Sequence, residues 1–491
     1  MIETSKQIHD NTARHSKRNL DSRFSLALLV FIGILISLLA SYHISEGNWF
    51  IVGVTVTLVS AIVLLFAQPF LGVIAWLVIM PFVSALPRAD LVYWAIYRIL
   101  PPFLLFLAVF SRMVKDRQYP TARLGPPELT MIILVMYIPA SIILTQASPS
   151  LAIIRFGDRV ILPFCMYLVM RLLAPREKEF TQLVWAALFI ALSQSIVGFL
   201  SWYAPHVLPK IWHYLNGIRT TGTVKDPDLY ALLLVFSAVL LIHAAVNKKS
   251  VLTRLFFYLV SGICALFAFL SLERAAWLGG LFVTIGLVFL FPKTMLRLLF
   301  FGVIVAIILS AGILSTHVSL TIERFSESNP VYDRLVVFDA MSQMFAEKPM
   351  SGWGYETLDG DIQQYYRRVG EASISTRLVT SHNTYMTILT ELGLLGFILY
   401  MFPVIWWFIL SGRVWRRIPK SGYWGRPLLG SLWLIMGFNF TICNFFDMRW
   451  FGIGLILWWM VLGLIANMVY PYLKDRKLMP VIQPELEIRH E

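Results

Sequence analysis

Residues 381–396 read Ser381-His382-Asn383-Thr384-Tyr385-Met386-Thr387-Ile388-Leu389-Thr390-Glu391-Leu392-Gly393-Leu394-Leu395-Gly396. The stretch starts as the end of a hydrophilic segment and turns into an apolar run that continues to about residue 411. A run of that length is long enough to cross roughly 30 Å of hydrocarbon as an α-helix. A His-Asn pair therefore stands where an aqueous loop meets a membrane helix. The hydrophilic segment it closes, residues 315–383, is the only long one between apolar runs.

Working outward, apolar runs of similar length recur along nearly the whole chain. Of the 491 residues 58% are hydrophobic, against about 45–50% in a soluble domain. The runs are continuous and do not alternate as barrel strands do, so the backbone must satisfy itself in closed helices. The expected fold is an all-α polytopic membrane protein with about 12–14 transmembrane helices and one long external loop. Spans are expected near 25–41, 49–67, 70–86, 93–111, 128–146, 157–174, 181–203, 226–246, 254–271, 275–291, 295–314, 384–411, 427–446 and 450–470.

The net charge of +13 would point to nucleic acid in a soluble protein. Here the charges follow the positive-inside rule instead, and no nucleic-acid partner is expected. With the N-terminus in the cytoplasm, the basic connections fall on one side. They hold Arg112/Lys115/Arg117/Arg123, Arg171/Arg176/Lys178, Lys248/Lys249/Arg254, Lys293/Arg297 and Arg413/Arg416/Arg417/Lys420/Arg426. Residues 1–24 then form a cytoplasmic segment, 25–470 one transmembrane domain and 471–491 a cytoplasmic tail. The basic lead without a small-residue cleavage site suits a retained first span. Cys165, Cys264 and Cys443 lie inside apolar runs, with no metal-ligand spacing and no disulfide framework. No metal site and no cofactor are expected.

The opposite side carries a few isolated arginines, and a bound anion would account for them. The loop Asn216-Gly217-Ile218-Arg219-Thr220-Thr221-Gly222-Thr223-Val224-Lys225-Asp226-Pro227-Asp228 sets a guanidinium among glycines and threonines. Arg219 offers a planar fork suited to phosphate oxygens, and Asp226-Pro227 is suited to start the next helix. The alternative is an ordinary external loop. At Ser271-Leu272-Glu273-Arg274-Ala275-Ala276 two apolar runs meet with almost no loop, which leaves Arg274 at the membrane face. Such an arginine pairs with a carboxylate or a ligand, neighbouring Glu273 being one choice and a headgroup another. Within 315–383, Leu335, Phe338, Met341 and Phe345 recur at amphipathic-helix spacing. Pro349-Met350-Ser351-Gly352-Trp353-Gly354 then turns the chain. Tyr365, Tyr366, Arg367 and Arg368 can stack on sugars and hold anions, or face water. His382 read alone is more often structural.

The combination of Arg334, Pro349-Met350-Ser351-Gly352-Trp353-Gly354, Ser381-His382-Asn383-Thr384-Tyr385 and Glu391-Leu392-Gly393-Leu394-Leu395-Gly396 resembles the core signature of the O-antigen ligase and O-antigen polymerase superfamily. The resemblance covers residues 215–400. It includes the arginine loop before an Asp-Pro-Asn-like cap, with Asp228 where asparagine is more usual, and the Ser-x-x-Arg-Ala element at Ser271. It implies a C-type glycosyltransferase fold in the bacterial inner membrane, with both termini cytoplasmic. It also implies a glycan moved from an undecaprenyl-diphosphate carrier to an acceptor hydroxyl, the acceptor being a glycan or lipid-linked unit. His382 matches the histidine that activates the acceptor, and Arg219 and Arg274 match the arginines that hold the diphosphate. Arg334, Asn383, Tyr365, Arg367 and Arg368 are candidates for substrate or loop support.

The bottom-up chemistry is compatible. A glycosyl diphosphate leaves readily, so charge stabilisation by guanidiniums and a proton acceptor suffice. Polymerisation of surface polysaccharide is the leading expectation. Ligation to lipid A-core or protein, and transport by a flippase, are the alternatives. Membrane lipids, a flippase and a chain-length regulator are the expected partners.

Overall fold

The computed structural model of the chain describes residues 60–86, 88–114, 125–145, 149–213, 219–310, 315–326, 329–366 and 381–473. The span expected at 25–41 and both Arg367 and Arg368 lie outside the described residues. The chain forms two compact units, residues 1–71 and 72–491. In the first, residues 60–67 are helical and mostly exposed.

The second unit is a bundle of helices, and its elements follow the expected spans. α1 is Phe70–Ile79. α2 runs through Ala89–Tyr93, a π-helical turn at Trp94–Ile99 and Leu100–Val114. α3 is Pro126–Thr145. α4 runs through Ser150–Phe156, a second π-helical turn at Gly157–Ile161 and Leu162–Leu173. α5 is Glu177–Tyr203, α6 Pro227–Asn247, α7 Val251–Phe269, α8 Arg274–Leu290 and α9 Pro292–Ser310. α10 is Ser315–Ser326 and α11 Asn329–Glu347; α12 (Thr384–Val414), α13 (Arg426–Phe445) and α14 (Gly452–Val469) close the bundle.

Eight of the described helices are long and apolar enough to cross a membrane: α2, α3, α5, α6, α7, α12, α13 and α14. The chain is an all-α, multi-pass membrane protein. α6 and α14 are its axis, with nearly every side chain of each buried. α6 packs against α5, α7 and α13; α14 packs against α4, α12 and α13. The other helices turn many large apolar side chains outward, among them Phe289, Phe300, Ile307 and Phe408. In water that would be a liability, but it is what lipid requires.

α12 decides where the functional end of the bundle lies. It is broken at Gly393, whose φ of 65° and ψ of −172° no side-chain residue adopts readily. The turn Pro349–Gly354 docks into that break. Trp353 N donates to Thr390 O (3.0 Å), Gly354 N to Glu391 O (2.8 Å) and Leu394 N to Pro349 O (2.8 Å). The approach is so close that a Cβ on Gly352 would sit 2.4 Å from the Glu391 carbonyl oxygen. A Cβ on Gly393 would sit 2.3 Å from Met350 O. Tyr137 of α3 clamps both sides of the joint, donating to Ser351 O (3.0 Å) and Leu392 O (3.1 Å). Two distant sequence motifs thus form one backbone junction.

α11 is a helix with one buried face, as an amphipathic segment requires. Its buried stripe is Val337, Ala340, Met341 and Met344, packed on Leu358 and Ile362. Leu335 and Phe338 are 45% and 49% exposed. Of the proposed stripe only Met341 joins that core. The reason is local: the core that α11 covers is built by the chain that follows it, including Trp353, Tyr365 and Tyr366. That core selects the i, i+3, i+4, i+7 positions beginning at Val337.

Candidate active site

The N-termini of α6, α8 and α12 converge with α11, and each brings one part of the site. Before α6, the loop from Arg219 to Asp226 is stitched into the bundle. Thr220 Oγ1 donates to Leu270 O (2.8 Å) and Thr223 Oγ1 to Pro81 O (2.6 Å). Gln194 bridges both the backbone and the hydroxyl of Thr223. The hydroxyls of Thr220 and Thr223 are therefore engaged inside the protein, while Arg219 remains partly exposed, at 22% of its side chain. Asp226 caps α6 by accepting from Leu229 N at 2.8 Å, and Pro227 occupies the first helical position.

Arg219 does not stand alone. Its Nη1 donates to Glu273 Oε1 at 2.5 Å. Glu273 is thus paired with Arg219 across the site. Arg274 Nη2 donates to the carbonyl of Arg324, at the end of α10. Arg334, on the first turns of α11, lies in the field of Glu273, Asp228, Arg324 and Arg274. Burial, and the two neighbouring guanidiniums, lower its affinity for the proton below the ordinary arginine value, while Glu273 and Asp228 oppose them. Asp228, 5% exposed, has one carboxylate oxygen without a hydrogen-bond partner. Burial pushes the neighbouring Asp226 carboxyl above the usual carboxylate range; Leu229 N–H opposes the rise and Glu273 adds to it.

His382 meets this cluster through Arg334. The imidazole is half-buried, and its pKa is lowered by burial first and by Arg334 second, against the opposing carboxylates of Asp447 and Asp333. Desolvation and a nearby guanidinium favour the neutral ring, which is the form that accepts a proton. The structure thus brings Arg219, Arg274, Arg334 and His382 into one connected set. Asn383 serves the backbone. Its Oδ1 accepts from Tyr385 N (3.0 Å) and Met386 N (2.9 Å), and its Nδ2 donates to Asn444 O (3.0 Å). It caps α12 and ties that cap to the end of α13. Tyr365 is likewise engaged: its ring meets Trp353 edge-on at 5.8 Å and its hydroxyl donates to Glu347 at 2.7 Å. The Glu347 contact pushes the phenol pKa up to about 12.

A second layer of charge, absent from the sequence reading, supports the first. Arg449 is 8% exposed and donates to Glu391 (2.7 Å) and Asp447 (2.9 Å). Asp447 in turn accepts from Ser381, the residue before His382, at 3.3 Å. Beyond Glu391, Glu356 pairs with Arg155 (2.7 Å) and with Arg159, and both guanidiniums lie over the Trp450 ring. Arg98 and Asp158, on the two facing π-helical turns, pair bidentately at 2.8 and 2.6 Å. The signal for this layer was available as charges inside apolar runs, Asp158, Arg159 and Glu391 among them, since such residues are costly unless partnered.

Comparison with known families matches residues 259–401 to the family described as O-antigen ligase. Comparison with curated proteins gives no match. The matched stretch contains Arg274, Arg334, His382 and the whole Pro349–Gly354/Gly393 junction, while the Arg219 loop precedes it and Arg449 follows it. Over that stretch this multi-pass chain is similar to the O-antigen ligase family, and the match supports a place in the O-antigen ligase and polymerase superfamily.

Proposed function

We propose that the chain transfers a glycan from an undecaprenyl-diphosphate carrier to an acceptor hydroxyl at the outer face of a bacterial inner membrane, polymerising repeat units of a surface polysaccharide. The observation that carries the reading is the position of Arg334, whose charge is felt both by His382 and by the Glu273/Arg274 cluster. On this reading a proton acceptor and an anion site adjoin each other, as a displacement at a sugar C1 requires.

In this mechanism His382 takes the proton from the acceptor hydroxyl as its oxygen attacks C1 of the donor sugar. The bond from C1 to the diphosphate oxygen breaks, and the configuration at C1 inverts. Charge gathers on the departing diphosphate, where Arg219, Arg274 and Arg334 stabilise it. Guanidiniums supply this without a metal, because a diphosphate already leaves readily. Burial and Arg334 keep the imidazole neutral at neutral pH, so it starts each cycle ready to accept. Ligation of finished chains to lipid A-core or protein uses the same chemistry, and the description of the matched family favours it as the second reading.

The test is a transfer assay with purified protein and lipid-diphosphate-linked glycan in detergent. His382→Ala is expected to lower turnover by about 10²–10⁴-fold, the usual worth of a general base. Arg219→Lys and Arg274→Lys should each lose much of the activity, since an ammonium cannot reproduce a bidentate contact. Products that lengthen on the lipid carrier mark a polymerase, and products that appear only on an added lipid A-core mark a ligase. Full activity in His382→Ala would remove it as the base.

A further inference from the structure

Glu273 sits among the arginines that this reading assigns to the donor. It is 5% exposed, and its carboxylate occupies the Arg219 edge that a phosphate oxygen would use. It is also the N-cap residue of α8, yet its side chain makes no capping bond to its own helix. A carboxylate in that position ordinarily turns back to the free N–H groups of the first turn. The backbone holds it away from that arrangement. Leu272 has a φ of 55°, a left-handed conformation that a side-chain residue adopts only at a cost. Thr220 ties the Arg219 loop to Leu270 of the same turn.

We propose that Glu273 is a specificity filter for the donor's diphosphate. It is a resident carboxylate that a diphosphate ester displaces from Arg219 and that a single phosphate diester does not. The charges decide the competition. A glycosyl lipid diphosphate carries two negative charges on adjoining groups and can engage Arg219 together with Arg274 and Arg334. The phosphate of a bulk phospholipid carries one, no more than the carboxylate it would have to replace. The surrounding membrane is rich in such headgroups, and an unguarded arginine cluster would fill with them. Glu273 sets the threshold. The inference rests on the donor-site reading above.

The experiment titrates the purified full chain in neutral detergent with undecaprenyl diphosphate and, separately, with phosphatidylglycerol. Wild-type protein should prefer the diphosphate. Glu273→Gln, which keeps shape and removes charge, should bind phosphatidylglycerol about tenfold more tightly or better, the worth of one charge-assisted hydrogen bond. The preference for diphosphate should shrink correspondingly. The Arg219→Gln/Glu273→Gln double variant should show no such gain, because no guanidinium is left to unmask. If Glu273→Gln does not fold, Glu273→Asp, one methylene shorter, should give a smaller gain in the same direction. Unchanged lipid preference in Glu273→Gln, with weakened diphosphate binding in Arg219→Gln, overturns the filter and leaves the donor site standing. Absence of diphosphate binding in the wild type, with no effect of Arg219→Gln, overturns both.

Discussion

Replacing Gly393 by alanine tests whether the loop-to-helix junction organises the site. Gly393 has φ 65° and ψ −172°, a region reserved for glycine, and forcing alanine into it costs on the order of 1–3 kcal/mol. The added Cβ would also lie 2.3 Å from Met350 O, 2.4 Å from Met350 C and 2.7 Å from Gly352 N. All three are backbone atoms and cannot swing aside, so the turn must withdraw from the helix. Withdrawal strains the bonds of Trp353 N to Thr390 O and Gly354 N to Glu391 O, each contributing about 1 kcal/mol. The sum is a loss of roughly 3–5 kcal/mol. Gly412, in the same helix, has no atom within 4 Å of its would-be Cβ. Gly412→Ala should therefore be neutral or stabilising by up to about 1 kcal/mol. The assay is thermal unfolding in detergent combined with hydrogen exchange. Gly393→Ala should melt lower, and the amides of Trp353 and Gly354 should lose protection before the body of α12 does. Equal melting of the two variants, with protection at Trp353 and Gly354 intact, would refute the junction as the support of the site.

Two further perturbations address the charges. Arg334→Gln removes a charge that lowers the His382 pKa, so the pKa should rise toward the ordinary imidazole value of about 6.5. The neutral, proton-accepting ring is then lost at a higher pH on acidification. The acid limb of the kcat/KM profile should move to higher pH, and a limb that stays in place or moves lower would contradict the assignment. Arg449→Leu leaves Glu391 and Asp447, 2% and 3% exposed, without their shared cation. Breaking a buried pair in this way costs about 3–5 kcal/mol, read as a lowered melting temperature. Arg449→Leu combined with Glu391→Gln should recover part of the loss.

The membrane helices were legible because lipid demands long apolar runs, and each expected span from 70–86 onward coincides with a helix. The start of α6 was equally legible, since Asp226-Pro227 carries its own capping chemistry. The partners of the charged residues were not. Arg219 reaches Glu273 across 54 residues, Arg449 reaches Glu391 across 58 and Arg155 reaches Glu356 across 201. No local pattern encodes such distances. Arg274 illustrates the point: along the chain Glu273 and a headgroup were equal choices, whereas the fold also brings it the carbonyl of Arg324, 50 residues away. The buried face of α11 was not legible for a related reason, because the surface it covers is made by residues that come after it.

The most direct test of the account is a structure determined with undecaprenyl diphosphate bound. The account predicts both phosphates within hydrogen-bonding distance of Arg219, Arg274 and Arg334, the Arg219–Glu273 pair opened, and His382 across the space that the sugar C1 would fill, opposite the terminal phosphate. A diphosphate bound elsewhere, with the Arg219–Glu273 pair intact and His382 remote from it, would contradict the account.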